Sequence, residues 1–440
     1  MDGADMNGTL PEVFVERMRH QLGNELPAFL SALGESSVRG IRLNSLKPTE
    51  AVHRFTYDGR IPWAEDGYYL PEDSDAGTTI LHAAGAFYIQ EPGAMLPAAV
   101  LNARPGEKIL DLCAAPGGKS TQIGCAMKGQ GLLICNEPIP KRAQILSGNI
   151  ERMGLTNTVV TCEWPEKLME QWPEGFDAVL ADAPCSGEGM FRRDPETRKE
   201  WTAEKAEGCA VRQRRILSAA AGLVRPGGRL VYSTCTYNPA ENEDNVRWFT
   251  EQFPQFHPEA FSLPGIEATD GMYICYPHRL KGEGQFTAML RKDGHSSATL
   301  PFDSSIPRPT TAEVNIFRSS FPALPVPTHR LGKTLIFFPE LPDIKGIRIF
   351  RAGLHLGEIR GKSAVPDHAA ALCFCTPDIR KTEMNPEEAA RYMAGETIRG
   401  ETEGWTLMCY QGLAAGWGKG SGGMIKNHYP KGLRSLKLIP

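Results

Sequence analysis

The sequence has no long apolar run, no C-x-x-C pair and, over its last stretch, no acid. Nothing approaches the roughly 18 consecutive apolar residues that a membrane helix needs, so no membrane partner is expected. The acidic opening Met1–Asp5 holds no apolar run of the kind a secretion signal requires, which makes the cytoplasm the expected compartment. The cysteine count is 11, an odd number in a large chain, and this argues against a disulfide framework. Without a C-x-x-C spacing no structural zinc is expected, and the metal expectation is none. Several cysteines (Cys125, Cys135, Cys275, Cys409) lie in apolar segments, where a small buried thiol is common. Cys373-Phe374-Cys375 alternates like a strand with both thiols on one face.

A net charge of −4 excludes a globally basic nucleic-acid binder. The average hides a gradient. From Gly404 to Pro440 there is no Asp or Glu, whereas Lys419, Lys426, Lys431, Arg434 and Lys437 are basic and His428 and Tyr429 sit among them. A local face of this kind holds phosphates even on a mildly acidic protein, although a solvated tail would read the same way.

At 440 residues two or three domains are expected. Residues 1–77 read as a small lead-in domain, helical over Pro11–Leu22 and strand-like over Gly40–Asn44. From Lys108 to about Glu251 strands and helices alternate at short intervals. The pattern predicts strands at 108–112, 131–136, 157–162, 177–182 and 228–233, and helices at 118–128, 139–153, 203–224 and 240–253. Such alternation is the mark of an α/β fold with a parallel sheet. Met272–Tyr276 and Gln285–Arg291 are expected to pair antiparallel at its edge, which bounds a catalytic domain at 78–292. Residues 293–329, with Pro301, Pro307, Pro309, Pro322, Pro325 and Pro327, read as a linker that buries no core. Residues 330–440 form a strand-rich region, with strands expected at Thr334–Phe338, Ile347–Ala352, Ala369–Phe374, Trp405–Tyr410 and Leu413–Trp417.

Three strand-end loops carry the chemistry. The first, Asp111–Thr121, reads D-L-C-A-A-P-G-G-K-S-T. Small residues followed by Pro116-Gly117-Gly118 let backbone amides approach a cofactor closely. Gly118-Lys119-Ser120 matches the end of a P-loop, but the glycine that motif needs five positions earlier is Cys113. Glu137 ends the next predicted strand, well placed for the ribose hydroxyls of an adenosine cofactor. The second loop, Asp182-Ala183-Pro184-Cys185, and the third, Ser233-Thr234-Cys235, put an acid and two thiols at strand ends facing one cleft. A pyrimidine is alkylated at carbon 5 only after carbon 6 has accepted a nucleophile, and a thiolate both attacks and leaves well. The residues alone leave open which of Cys185 and Cys235 attacks.

These strings carry a resemblance. Gly85–Pro92, Asp111–Thr121, Asp182–Arg193, Ser233–Asn242, Gly282–Phe286, Gly416–Lys419 and Lys426–Arg434 together resemble the Nol/Nop/Sun family of RNA (cytosine-5)-methyltransferases. Within it they are most similar to the ribosomal RNA small-subunit methyltransferase F branch. The resemblance implies a class I, Rossmann-like S-adenosylmethionine methyltransferase core with a C-terminal RNA-binding region, PUA-like from about residue 370. It implies that Cys113, Ala114, Ala115, Pro116, Gly117, Gly118 and Lys119 form the cofactor loop and that Glu137 holds the ribose. Asp182 would lie near both methionine and the target base, and Lys119 is counted with it among the catalytic residues. Cys235 matches the nucleophile and Cys185 the thiol that assists product release. The family's aspartate after the third strand is absent from Thr161-Cys162-Glu163-Trp164, and Glu163 is taken as its substitute. Lys426, Lys431 and Arg434 are expected to bind RNA. The function implied is methylation of carbon 5 of cytosine in small-subunit ribosomal RNA, by a monomer acting on free RNA or on the small subunit. The alternatives are the same chemistry on transfer RNA and a non-catalytic ribosome-assembly factor.

Overall fold

The computed structural model describes residues 10–47, 49–296, 300–301, 306–339, 341–373, 378–435 and 437–439. Its centre is a nine-stranded sheet. The strand order is Met272–Cys275, Gln285–Lys292, Val224–Thr234, Phe176–Asp182, Lys108–Asp111, Leu132–Asn136, Thr158–Thr161 and Ile349–Ala352, with Phe256–Pro258 pairing beside Gln285–Lys292. The five strands from Val224–Thr234 to Thr158–Thr161 run parallel. Leu132–Asn136 and Thr158–Thr161 are buried at every residue, as strands covered on both faces must be.

Alternate residues of these strands feed two cores. Leu110, Ile134, Val179 and Leu230 pack with Leu217 and Ala220 of the helix Ala203–Leu223. Ile109, Leu133, Leu180 and Val231 pack with Ile123 of Gly118–Met127 and with Leu146 and Ile150 of Pro140–Met153. Local chemistry marks the helix ends: the Thr202 hydroxyl accepts from Lys205 N, and Pro140–Met153 stops at left-handed Gly154 (φ +76°). The strand order reverses between Lys108–Asp111 and Phe176–Asp182. A crevice opens at that switch point, outside the carboxyl ends of the strands.

The N-terminal helices Glu12–Leu22 and Leu26–Leu33 bury Phe14, Met18 and Phe29 against Phe191, Trp201, Tyr237 and Tyr276. They therefore brace the two thiol loops from behind. A three-stranded sheet (Gly67–Leu70, Arg39–Leu43, Phe87–Ile89) follows. The C-terminal part holds a four-stranded sheet over 329–366 and a five-stranded one over 381–427. One face of the latter presents Met408, Tyr410 and Ile425 to Ile80 and Phe87, and the other presents Leu407, Cys409 and Trp417 to Phe317, Phe321 and Leu354.

Three expectations are corrected. The Pro-rich stretch 293–329 is not merely a linker: the helix Thr311–Ser320, closed by a Thr310/Glu313 capping box, buries Phe317 with Phe321 and Leu324. Local capping and three apolar side chains outweigh the proline content. Ile349–Ala352 does not stay within the C-terminal region but joins the catalytic sheet, pairing antiparallel with Val159–Thr161 and covering its open edge. The segment read as the strand Ala369–Phe374 is the helix His368–Cys373, consistent with three successive alanines, all buried. Phe374 and Cys375 lie outside the described residues. Among the described residues no helix is long and apolar enough to cross a membrane, and no group of three or more His, Cys, Asp or Glu could hold a metal ion.

Candidate active site at the ends of the parallel strands

The Asp111–Thr121 loop is fastened by its backbone. Ala114 N donates to Asn136 O (2.8 Å), Asn149 Nδ2 to Pro116 O (2.9 Å) and Arg142 Nη2 to Ala115 O (3.1 Å). Gly117 adopts φ +113°, a turn open to glycine at little cost, and the helix starts at Gly118. The loop lines a cleft of about 220 Å³ with Tyr88, Gln90, Asp111, Cys113, Ala114, Ala115, Pro116, Gly118, Lys119, Asp182 and Arg193 around it. The strand ends thus bring together most of the sequence-expected cofactor residues.

The lining fits S-adenosylmethionine. Asp111 is fully buried; its Oδ2 accepts from Ser120 Oγ at 2.6 Å, while Oδ1 has no partner among the described residues. Burial raises this carboxyl to about 7. The Asp111 carboxyl lines the cleft and leaves one acceptor open, which suits a donor such as the methionyl ammonium. Burial also pushes the Cys113 thiol well up, so that sulfur lines the cleft as an inert group.

Asp182 sits where the cofactor cleft meets the thiols. Lys119 Nζ lies 2.6 Å from its Oδ2, Ser233 Oγ donates to its Oδ1 at 2.5 Å, and Gln285 Nε2 stands 3.4 Å away. Burial works against the Lys119 ammonium, but the Asp182 charge and hydrogen bond outweigh it, with smaller support from Cys235 and Asp111. Lys119 therefore stays charged and gives any thiolate at Cys235 a nearby cation.

The two thiols meet. Cys185 Sγ and Cys235 Sγ are 3.2 Å apart. The hydrogen bond with Cys235, followed by burial, holds the Cys185 thiol well above its usual range, which makes it a neutral S–H donor. Their loops are tied at the residue after each cysteine: Ser186 Oγ and Thr236 Oγ1 are 2.8 Å apart. Buried Glu241 accepts from Ser186 N (2.9 Å), Ser186 Oγ (2.5 Å) and Gln213 Nε2 (2.9 Å). Gly189 N donates to Cys235 O at 2.9 Å, and a Cβ at Gly189 would meet Gly284 O at 2.4 Å, so only glycine allows this approach. Glu188, also buried, accepts from Trp201 Nε1, Tyr237 N and Arg17.

The remaining sequence-expected residues lie around this centre. Glu137, at the next strand end, accepts from Ile139 N (2.9 Å) and pairs with Arg142 (3.3 Å). Glu163 follows the strand two over from the cofactor loop, where its Oε1 pairs with Lys167 (2.9 Å) and accepts from Arg348 N (2.8 Å). In the tail Lys426, Lys431 and Arg434 are all exposed, and Arg434 also lies against Gly395 and donates to Tyr429 O (3.3 Å). Sequence reasoning assigned no role to Tyr88, Gln90, Arg193, Ser186, Ser233, Thr236 or Glu241. All of them fall within the strings Gly85–Pro92, Asp182–Arg193 and Ser233–Asn242, which were the available signal.

Known proteins share this arrangement. Residues 98–291 match the model of the 16S rRNA methyltransferase RsmB/F family, and residues 10–92 that of the N-terminal domain of 16S rRNA methyltransferase RsmF. Residues 318–374 match the first C-terminal domain of the RsmF rRNA methyltransferase, and 380–435 the methyltransferase RsmF PUA domain. Ribosomal RNA small subunit methyltransferase F of Klebsiella pneumoniae is 34% identical over 98% of both chains, and that of Shigella boydii 32% identical over 98% of both. Among solved structures, a methyltransferase homolog protein from Pyrococcus horikoshii is 29% identical over 64% of this chain and 95% of its own, with a TM-score of 0.57. NSun6 from Pyrococcus horikoshii, solved with SFG, shares the fold at 22% identity, over 65% of this chain and 99% of its own, with a TM-score of 0.56. Matched over 98% of its length at 34% identity, the chain belongs to the ribosomal RNA small subunit methyltransferase F family.

Proposed function

We infer that this protein methylates carbon 5 of cytosine in small-subunit ribosomal RNA, using S-adenosylmethionine and a covalent cysteine adduct. The observation that carries the covalent step is the Cys185–Cys235 contact at 3.2 Å beside the Lys119–Asp182 pair. S-Adenosylmethionine, when bound, supplies an electrophilic methyl group. Lys119, Asp182 and Cys235 act on the pyrimidine.

The Cys235 thiolate adds to carbon 6, forming a carbon–sulfur bond, and the displaced electron pair makes carbon 5 nucleophilic. The Lys119 ammonium, held by Asp182, offsets the negative charge that develops on the ring. The Asp182 carboxylate, oriented by Lys119 and Ser233, accepts from the ring's amino group. After methylation the carbon 5 proton leaves to a solvent base, the carbon–sulfur bond breaks and the ring double bond returns. Cys185, neutral and in contact with the departing sulfur, donates a hydrogen bond to it and so favours release. Glu137 is the group we assign to the ribose hydroxyls.

Lys426 and Lys431 lie on the acid-free C-terminal part and serve to hold RNA, as does Arg434 in the sequence reading. We place the action in the cytoplasm and on a monomer. Bisulfite sequencing of small-subunit ribosomal RNA from a deletion strain, with and without the restored gene, tests the reading. One or more cytosines that lose and regain protection are expected. Unchanged ribosomal RNA alongside a transfer RNA that loses protection would move the activity to transfer RNA.

A further inference from the structure

The five-stranded terminal sheet carries a row of side chains that catalysis does not use. Trp405 lies directly across from Lys419, and Lys419 across from Lys426, on three neighbouring strands. Directly opposed residues project from the same face, and neighbouring strands are about 5 Å apart. The Lys419 ammonium stands 5.4 Å from the Trp405 ring centre, and the His428 ring meets Trp405 edge-on at 4.5 Å. Lys419 and Lys426 are exposed and have no carboxylate partner among the described residues. The charges acting on His428 come from Lys426, Lys419 and Arg360, all cations.

Lys419 and Lys426, side by side with no carboxylate partner among the described residues, repel each other, and an anion relieves that repulsion. The row borders a cleft of about 440 Å³, where Trp405, Trp417 and Lys419 face Phe321, Ala364 and Arg380. The acid among its lining residues is Asp378. Trp405 is only half-buried, so part of its ring stays open to a ligand. An accessible aromatic ring beside two free ammoniums matches one nucleotide, base and phosphate together. A duplex keeps its base faces stacked inside and offers such a site phosphates alone.

We propose that this cleft holds an unpaired nucleotide of the RNA substrate, its base against Trp405 and its phosphate between Lys419 and Lys426. The proposal rests on the reading of the chain as an RNA methyltransferase and adds which form of RNA its C-terminal part selects.

Binding of the full-length protein to a single-stranded RNA oligonucleotide and to a duplex of the same sequence, across a salt series, tests it. Trp405→Ala should weaken single-strand binding about tenfold, with an unchanged salt slope and unchanged duplex affinity. Lys419→Ala with Lys426→Ala should lower the single-strand salt slope by about 0.7, the contribution of the one phosphate they share. Because Trp405 also packs on Phe321 and Trp417, the lysine pair gives an arm free of folding effects. A lysine variant with wild-type affinity and slope, or a Trp405→Ala loss equal for both RNAs, overturns the cleft. In either case methyl transfer by the unaltered enzyme would leave the proposed activity standing. Wild-type protein that binds neither RNA and methylates none would instead overturn the activity itself.

Discussion

Glu241 grips Ser186 twice, at its backbone nitrogen (2.9 Å) and at its hydroxyl (2.5 Å). Through the Ser186–Thr236 contact the same carboxylate sets both thiol loops, one from each of two neighbouring strands. Neither loop is held by hydrophobic packing alone, so the separation of the thiols depends on this buried polar tie.

Glu241→Ala should therefore act on catalysis and stability together. It removes the acceptor of Ser186 N and one of the two acceptors of the Gln213 amide, which keeps Pro184 O, a loss on the order of 1–3 kcal/mol for each group left unsatisfied. The melting temperature should fall and methyl transfer should drop more than cofactor affinity does. Glu241→Gln keeps an acceptor for Ser186 and should lie between. Thermal denaturation and turnover of the two variants check this.

The Asp111 carboxyl, raised to about 7 by burial, links cofactor affinity to pH. Below about 7 the free enzyme carries it protonated, and binding the methionyl ammonium must expel that proton. Affinity for S-adenosylmethionine should then fall as pH drops below 7, by at most about tenfold per pH unit, and level off above it. The sign for folding is opposite: a carboxyl with a raised folded-state pKa contributes most at low pH and loses that contribution as pH rises towards 7. Asp111→Asn should flatten the affinity profile, as measured by calorimetry between pH 5.5 and 8.

Much of the site was legible in the sequence because it lies on local signals. The alternation of strands and helices pointed to a parallel sheet with its loops facing one cleft, and Gly117 and Gly118 marked the turn into the helix. Asp182, Cys185 and Cys235 each end a strand or begin the loop after one. What stayed hidden depends on contacts between distant segments. Glu241 takes meaning only from Ser186, and Asp111 only from burial and its orphan oxygen. Ile349–Ala352 gives no local sign that it will pair with Val159–Thr161, because any short apolar strand could cover that edge. Arg434 resembles the neighbouring lysines by composition and is exposed like them, yet it also lies against Gly395, a contact that composition does not show.

Glu137→Ala should weaken S-adenosylmethionine binding about tenfold while leaving RNA affinity unchanged, a loss of roughly 1–3 kcal/mol from unpaired ribose hydroxyls. Calorimetric titration of the variant is the check. Cofactor affinity equal to wild type would assign Glu137 solely to Ile139 and Arg142, the partners it already has.

The most direct test of the covalent mechanism is a denaturing gel of the enzyme incubated with substrate RNA and S-adenosylmethionine. Cys185→Ala should leave a protein–RNA adduct, because attack by Cys235 survives while release is impaired. Cys235→Ala should give no adduct and no methylated product. An adduct from Cys235→Ala and none from Cys185→Ala would contradict the account, making Cys185 the nucleophile.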